Sequence, residues 1–275
     1  MKTSYPVLLN LFRFQYRLIT NSCPLSVQEQ NKEASTVNRL YRLYCTPAIS
    51  DVTSKKIESV VGLQIGLSYV SWARIETKTN FLSHLNFLSL PVDMNKMELH
   101  QIYTVAHKTL NTIPSADCYV MENLPKIVSA SSGKLQLTLQ ATRMQLISML
   151  VAMLNMKSDE SYQPVMFIKP RVTARLFNLL IGSETVSSHG VISKLLVESS
   201  MKPFTPITCC PDALKFYNQS QNVDKEILGQ AFLVTVSFAE LMLYKNQECY
   251  KILLGDSKKN LLCNFSIFSV IISII

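Results

Sequence analysis

The fold is decided by residues 60–76, which read Val-Val-Gly-Leu-Gln-Ile-Gly-Leu-Ser-Tyr-Val-Ser-Trp-Ala-Arg-Ile-Glu. The first six residues are mostly apolar, as in a strand that is buried on both faces. Gly66-Leu67-Ser68 then supplies a tight reversal, and residues 69–75 alternate and are rich in β-formers. We therefore predict two antiparallel strands joined by a short turn.

The segments that follow alternate between strand and helix patterns. The stretch 79–90 predicts a third strand and an antiparallel meander, and apolar runs at 117–122 and 165–168 predict two more strands. Helical spacing of apolar residues predicts helices at 93–110, 134–157, 171–180, 189–200 and 224–244. The predicted fold class is therefore α/β, with a mixed five-stranded sheet that contains a three-strand meander and is flanked by helices.

This order of elements resembles an RNase H-like domain, and the opening strand resembles that of a Holliday-junction resolvase. The resemblance implies a two-metal site with carboxylates in the middle of the first strand, at the end of the fourth and on the last helix. Those positions hold Gln64, Glu122 and Gln230 here. Because Mg²⁺ requires anionic oxygen ligands, we expect a degenerate site with no catalytic residue, no metal and no cofactor.

Two alternatives stay open at this site. An active metal-dependent nuclease of the resolvase or RNase H type would use Glu122 with Asp224 or Glu226, about one helical turn before Gln230. Glu122 is either a relic ligand or a strand-end carboxylate that is solvated or caps the next helix. Phosphate-binding and nucleophile-elbow motifs are absent from the sequence, which argues against nucleotide and acyl-transfer chemistry.

Composition and charge favour a folded protein with an anionic partner. Of 275 residues, 48% are hydrophobic and 17% are charged, and the formal net charge is +8. The main basic cluster of the body comprises Lys169, Arg171, Arg175 and Lys194. It is a candidate contact for nucleic-acid phosphates or for an acidic patch on a protein partner, and a solvated helix face is the alternative. Seven cysteines without metal-ligand spacing favour a reducing compartment.

The sequence divides into four predicted segments. Residues 1–44 are basic and amphipathic, contain no acidic residue before Glu29, and indicate a mitochondrial presequence or an ordinary basic arm. Residues 45–57 are predicted to be a linker and 58–250 the folded domain. The tail 251–275 is largely apolar and has no assigned role. Its last fifteen residues would reach only about 22 Å as a helix, short of a ~30 Å bilayer core, so we expect no membrane span.

Several later motifs resemble the mitochondrial transcription elongation factor family. The stretches that carry this resemblance are 71–74 (Ser-Trp-Ala-Arg), 117–123 (Asp-Cys-Tyr-Val-Met-Glu-Asn), 176–183 (Leu-Phe-Asn-Leu-Leu-Ile-Gly-Ser), 226–232 (Glu-Ile-Leu-Gly-Gln-Ala-Phe) and 238–241 (Phe-Ala-Glu-Leu). The resemblance runs from about residue 58 to residue 246. It implies an inactive resolvase-like domain in the mitochondrial matrix, at the nucleoid, that dimerises and binds the single-subunit mitochondrial RNA polymerase.

The resemblance also implies that the protein raises polymerase processivity and contacts DNA or an RNA–DNA hybrid without cutting it. Family members usually carry a helix-hairpin-helix domain before the nuclease-like domain, and residues 23–57 are too short to hold one. This departure affects the expected nucleic-acid contact more than dimerisation or polymerase binding. An orphan structural dimer unrelated to transcription is a third hypothesis.

The helix 134–157 is the best candidate for a partner surface. Its predicted apolar stripe comprises Leu137, Ala141, Met144, Ile147, Val151 and Leu154. Its methionines would supply adaptable apolar contacts, and packing in the core is the alternative. They are Met144, Met149, Met153 and Met156.

Overall fold

The computed structural model describes residues 44–123, 134–157, 164–182, 184–198 and 201–255. The strands are β1 (Cys45–Thr46), β2 (Ser59–Ile65), β3 (Tyr69–Glu76), β4 (Phe81–Ser89), β5 (Cys118–Glu122), β6 (Val165–Ile168), β7 (Leu180–Ile181), β8 (Glu184–Thr185) and β9 (Thr208–Cys209). The helices are α1 (Asp51–Lys56), α2 (Leu99–Thr112), α3 (Lys134–Met156), α4 (Val172–Leu176), α5 (His189–Ser193), α6 (Pro211–Gln219), α7 (Asn222–Phe238) and α8 (247–255). A 3₁₀ turn spans Met94–Lys96, and π-helical turns at Lys194–Glu198 and Ala239–Leu243 continue α5 and α7.

The main sheet has the strand order β1-β6-β5-β2-β3-β4-β9. Strands β2, β3 and β4 form the predicted antiparallel meander, while β5 runs parallel to β2 and β6 parallel to β5. This is the RNase H-like arrangement, and the predicted fold class is confirmed. The two-residue strands β1 and β9 are additional to the five predicted strands and form the two outer edges of the main sheet. Strands β7 and β8 pair in a separate hairpin.

The two faces of the sheet are covered by different helices. On one face, alternate residues of β2 join the main core cluster, together with buried residues of α2 and α3. Those residues include Val61, Leu63, Ile65, Ile102, Ala106, Leu146, Leu150 and Leu154. On the other face lies α7, whose central residues from Ala231 to Phe238 are all buried. Because successive side chains of β2 point to opposite faces of the sheet, one set packs on α2 and α3 and the other set packs on α7.

The contact between α7 and the sheet depends on Gly62. A Cβ atom at Gly62 would lie 2.0 Å from the hydroxyl oxygen of Thr235 and 2.7 Å from the carbonyl oxygen of Ala231. The Thr235 hydroxyl is positioned to donate to the carbonyls of Ala231, at 2.8 Å, and of Ala73, at 3.2 Å. The Ser71 hydroxyl donates to the carbonyl of Ile227 at 2.8 Å. These contacts fix α7 across the middle of β2 and β3.

The structure corrects the predicted linker. Residues 45–57 are part of the domain, because β1 pairs with β6 and both Cys45 and Ile57 are buried. Between them, Ser50 caps α1 by accepting a hydrogen bond from the backbone N–H of Thr53. The predicted folded domain ended at residue 250, inside α8, where Tyr250 is buried. The presequence prediction, apart from Tyr44, and tail residues 256–275 lie outside the described residues.

Two helices of the described chain are long and apolar enough to cross a membrane by length and composition alone. Asn222–Leu243 has 78% of its apolar window buried in the domain, which accounts for its composition as a core helix. Leu137–Met156 has only 22% of its window buried. Packing against the other described residues therefore does not explain its apolar character.

Candidate functional site

The two site residues predicted on strands are adjacent, near the carboxyl-terminal ends of the parallel strands β2 and β5. Leu63 of β2 is in register with Met121 of the parallel strand β5, so Gln64 and Glu122 follow as the next pair. Leu63 and Met121 belong to the core on the α2 and α3 side. Because strand side chains alternate, Gln64 and Glu122 share the α7 side. Both are partly buried, and the structure brings the two positions together.

Glu122 is held by the loop that follows β6. Its Oε1 atom accepts a hydrogen bond from the backbone N–H of Arg171, the residue before α4. Arg171 has a φ angle of +64°, a left-handed conformation that few non-glycine residues adopt. Burial raises the pKa of the Glu122 carboxyl, and the hydrogen bond from Arg171 acts in the opposite direction. Glu122 therefore contacts the residue that precedes α4, which is not the next helix along the chain after Glu122.

The acidic residues of α7 lie elsewhere. Glu226 accepts hydrogen bonds from the hydroxyls of Ser187 and Ser188, each at 3.0 Å, and from the Ser188 backbone N–H. Asp224 lines a depression beside the end of β4 and the end of α6. Gln230 accepts a hydrogen bond from the Tyr69 hydroxyl at 3.1 Å. Within the described ranges, no group of three or more His, Cys, Asp or Glu residues is arranged to hold a metal ion.

A cavity of about 370 Å³ opens at the same sheet edge, between the strand ends and α3. Gln64 and Glu122 line it together with Arg143 of α3, whose Nε–H donates to the carbonyl of Ile65 at 2.6 Å. Burial lowers the pKa of Arg143, and the nearby Tyr69 acts in the opposite direction. Sequence reasoning missed Arg143, although a single cation within an apolar helix was a visible signal.

The four predicted contact cations are only partly brought together. Lys169 and Arg171 are exposed on the loop between β6 and α4, beside Glu122, and Arg175 follows at the end of α4. Lys194 is exposed after α5. None of the four forms an ion pair with another described residue. Their side chains are therefore free of internal ionic partners within that part of the chain.

The candidate partner helix α3 exposes part of its apolar surface. The side chain of Met144 is 46% exposed and that of Met156 is 84% exposed. The buried positions are Leu146, Leu150 and Leu154, so of the predicted stripe only Leu154 is fully buried. Most of the predicted stripe therefore lies outside the buried face of the helix: Leu137, Ala141 and Met144 are exposed, and Ile147 and Val151 are partly buried. Its outward face remains a candidate interface.

The order and directions of the strands define an RNase H-like domain. The chain is 24% identical over 250 residues to the mitochondrial transcription elongation factor of Bos taurus, covering 86% of this chain and 68% of that protein. It is 25% identical to the human protein of the same name over 254 residues, covering 87% and 68%. The rat protein is 23% identical over 248 residues, covering 85% and 65%.

These matches confirm the predicted resemblance to mitochondrial transcription elongation factors. The 250 aligned residues exceed the range 58–246, so the similarity is wider than the motifs indicated. The chain spans about two thirds of the length of these relatives. No protein-family model matches the chain.

Solved structures of Holliday junction resolvases are also similar. The yeast mitochondrial resolvase Ydc2 is 14% identical with a TM-score of 0.48, covering 70% of this chain and 83% of that structure. RuvC of Thermus thermophilus is 10% identical with a TM-score of 0.39, covering 70% and 97%.

Proposed function

We propose that the protein is a non-catalytic mitochondrial transcription elongation factor. In this proposal it dimerises and binds the single-subunit mitochondrial RNA polymerase, and it raises the processivity of that polymerase. The observation that carries the absence of catalysis is the state of Glu122. It is a strand-end carboxylate engaged by the N–H of Arg171, with the neutral Gln64 beside it.

The chemistry of phosphodiester cleavage supports this proposal. Two-metal cleavage requires several carboxylates around two Mg²⁺ ions about 3.5–4 Å apart. Mg²⁺ gives up its water ligands reluctantly and is held by anionic oxygens. Glu226 is committed to Ser187 and Ser188, and Asp224 lines a different depression. A single carboxylate beside an amide would not hold two divalent cations.

The partner surfaces follow from what the domain leaves exposed. The outward face of α3, around Met144 and Met156, is apolar and fits a second copy of the chain or the polymerase. The cations Lys169 and Arg171 fit nucleic-acid phosphates or an acidic polymerase patch. The names of the relatives and the basic N-terminal segment support a mitochondrial matrix location at the nucleoid.

Two experiments test the proposal. Purified protein is incubated with branched DNA and with an RNA–DNA hybrid in the presence of Mg²⁺ or Mn²⁺, and we expect no cleavage. Cleavage that Glu122→Gln abolishes would establish the alternative, an active structure-specific nuclease. In parallel, the tagged protein is used to recover partners from mitochondrial extract at low salt. We expect the mitochondrial RNA polymerase, and its absence would contradict the proposed function.

A further inference from the structure

Arg143 is a partly buried cation on α3 that takes part in none of the ion pairs between described residues. Its Nε–H donates to the carbonyl of Ile65 at 2.6 Å. Glu122 lines the same cavity, but it accepts a hydrogen bond from Arg171 and forms no ion pair with Arg143. Burial lowers the pKa of Arg143, because removal from water disfavours its charged form. An anion bound beside Arg143 would offset that cost.

The cavity that Arg143 lines follows one face of α3. Arg143, Ile147 and Val151 line it at intervals of four residues, which places them on the same side of the helix. The eight residues from first to last span about 12 Å. Apolar side chains of β2, β5 and β6 also line the cavity, namely Leu63, Met121 and Phe167. The cavity therefore has a positive charge at one end and apolar walls along its length.

This arrangement selects the class of ligand. The volume of about 370 Å³ lies at the small end of the range for ligand pockets, roughly 300–1,000 Å³. A guanidinium binds the two oxygens of a carboxylate, and the Nε–H bond to Ile65 leaves the Nη groups of Arg143 for that contact. Apolar walls favour methylene groups. An extended chain advances about 1.2 Å per bond, so roughly ten carbons match the 12 Å.

We propose that this cavity binds a medium-chain carboxylate, with the carboxylate on Arg143 and the alkyl chain between α3 and strands β5 and β6. A double-chain lipid would exceed the cavity, and a ligand charged along its length would meet the apolar walls. The inference does not rest on the proposed function. Met144 lines the cavity and also belongs to the outward face of α3, so a second copy of the chain is the competing occupant.

The binding test uses the full chain with carbon-13 in its methionine methyl groups, titrated with decanoate, decanol and decylammonium below their micellar concentrations. We expect decanoate to shift the NMR signals of Met121 and Met144, which line the cavity, and not that of Met156, which is exposed on α3 outside the lining. Decanol and decylammonium should bind about tenfold more weakly, because neither supplies a charged acceptor. Equal affinity for decanoate and decanol would overturn the proposal.

The charge at one end of the cavity is tested by substitution. Arg143→Gln should weaken decanoate about tenfold and leave decanol unchanged, and Arg143→Lys should keep most of the affinity. Lys157→Gln removes an exposed cation directly after α3, outside the lining, and should change neither ligand. Circular dichroism checks that each variant is folded. Equal loss of decanoate and decanol in Arg143→Gln would contradict a role for the charge.

The apolar end is tested by chain length, which does not require a change at Arg143. Octanoate is two methylenes shorter than decanoate and should bind about fifteenfold more weakly. Ala152→Trp fills the cavity from an exposed position about two and a half turns beyond Arg143, so it should remove this difference. Ala141→Trp makes the same change outside the lining and should preserve it. An unchanged difference in Ala152→Trp would overturn the proposed placement of the chain.

Stoichiometry and a vesicle control separate the remaining occupants. We expect one decanoate per chain, and one per two chains would mean that a second copy completes the cavity, which would overturn the inference. Binding to phosphatidylglycerol vesicles without binding of free decanoate would identify a membrane surface and would also overturn it. Failure of decanoate to bind contradicts this inference alone. Absence of the polymerase in the extract experiment contradicts only the proposed function.

Discussion

Restoring the missing anion at position 64 tests the geometry of the site most directly. Gln64 and Glu122 occupy neighbouring parallel strands, which lie about 4.8 Å apart, so Gln64→Asp would place a second carboxylate roughly 5 Å from the first. At an effective dielectric constant of about 20, two charges at that distance repel by about 3 kcal/mol. Both side chains are partly exposed, and solvent screening lowers the expected destabilisation to about 1–2 kcal/mol.

The assay is urea unfolding with Gln64→Asn as the control. Asn has the size of Asp without its charge, so the difference between the two variants isolates the repulsion. Repulsion raises the folded-state pKa values of both carboxyls above their unfolded values of about 4. The two variants should therefore be equally stable near pH 4, and Gln64→Asp should lose stability relative to Gln64→Asn as the pH rises towards 7.

The same unfolding experiment can be repeated with added Mg²⁺. Added Mg²⁺ should restore part of the lost stability of Gln64→Asp and leave Gln64→Asn unchanged, because only the former has two adjacent carboxylates. Equal stability of the two variants at pH 7 in the presence of EDTA would refute the reasoning, since it would mean that residues 64 and 122 do not face each other.

Three further predictions concern packing, charge and assembly. Gly62→Ala should destabilise the domain by about 3 kcal/mol in thermal melts, because the new methyl group meets Thr235 and α7 backbone atoms; a cost below about 1 kcal/mol would contradict this close approach. Burial raises the pKa of Glu122, so the wild type should lose stability relative to Glu122→Gln as the pH rises from about 4 to about 7. If the difference in urea midpoint between the two proteins stayed constant over that range, the carboxyl would not be desolvated. Met144→Asp should lower the dimer fraction in sedimentation at matched concentration, whereas Gln145→Asp should not, and an unchanged dimer would exclude this face of α3.

The central strands could be predicted because their sequence pattern and their environment agree. In β2, the apolar residues Val60, Val61, Leu63 and Ile65 match a strand covered by α7 on one face and by α3 on the other. The edge strands β1 and β9 have two residues each, which is too short for an alternating pattern to be recognised in the sequence. The predicted helix 171–180 was too long, because Asn178, at a φ angle of +53°, departs from helical geometry after α4. The spacing of apolar residues does not indicate that the helix ends before Asn178.

The site was predicted in its positions but not in its contacts. The sequence indicated Gln64 and Glu122 because the carboxyl-terminal ends of two parallel neighbouring strands lie side by side. It could not assign the partner of Glu122, since Arg171 contributes only its backbone N–H, which every residue except proline possesses. Likewise, the contact of Glu226 with Ser187 and Ser188 depends on how α5 approaches α7, a tertiary feature.

The loop after β6 combines an unfavourable backbone conformation with a hydrogen bond to Glu122. A partly buried carboxylate needs a hydrogen-bond donor, and Arg171, whose backbone lies in the left-handed region, supplies one to Glu122. That conformation costs roughly 1 kcal/mol for a residue with a side chain, and a charge-assisted hydrogen bond, about twice as strong as a neutral one, offsets it. A metal ion at Glu122 would compete for the same carboxylate. That competition would be partial, because the hydrogen bond from Arg171 uses only Oε1 of Glu122, so Gln64→Asp would bind a divalent ion through Oε2 with the loop in place.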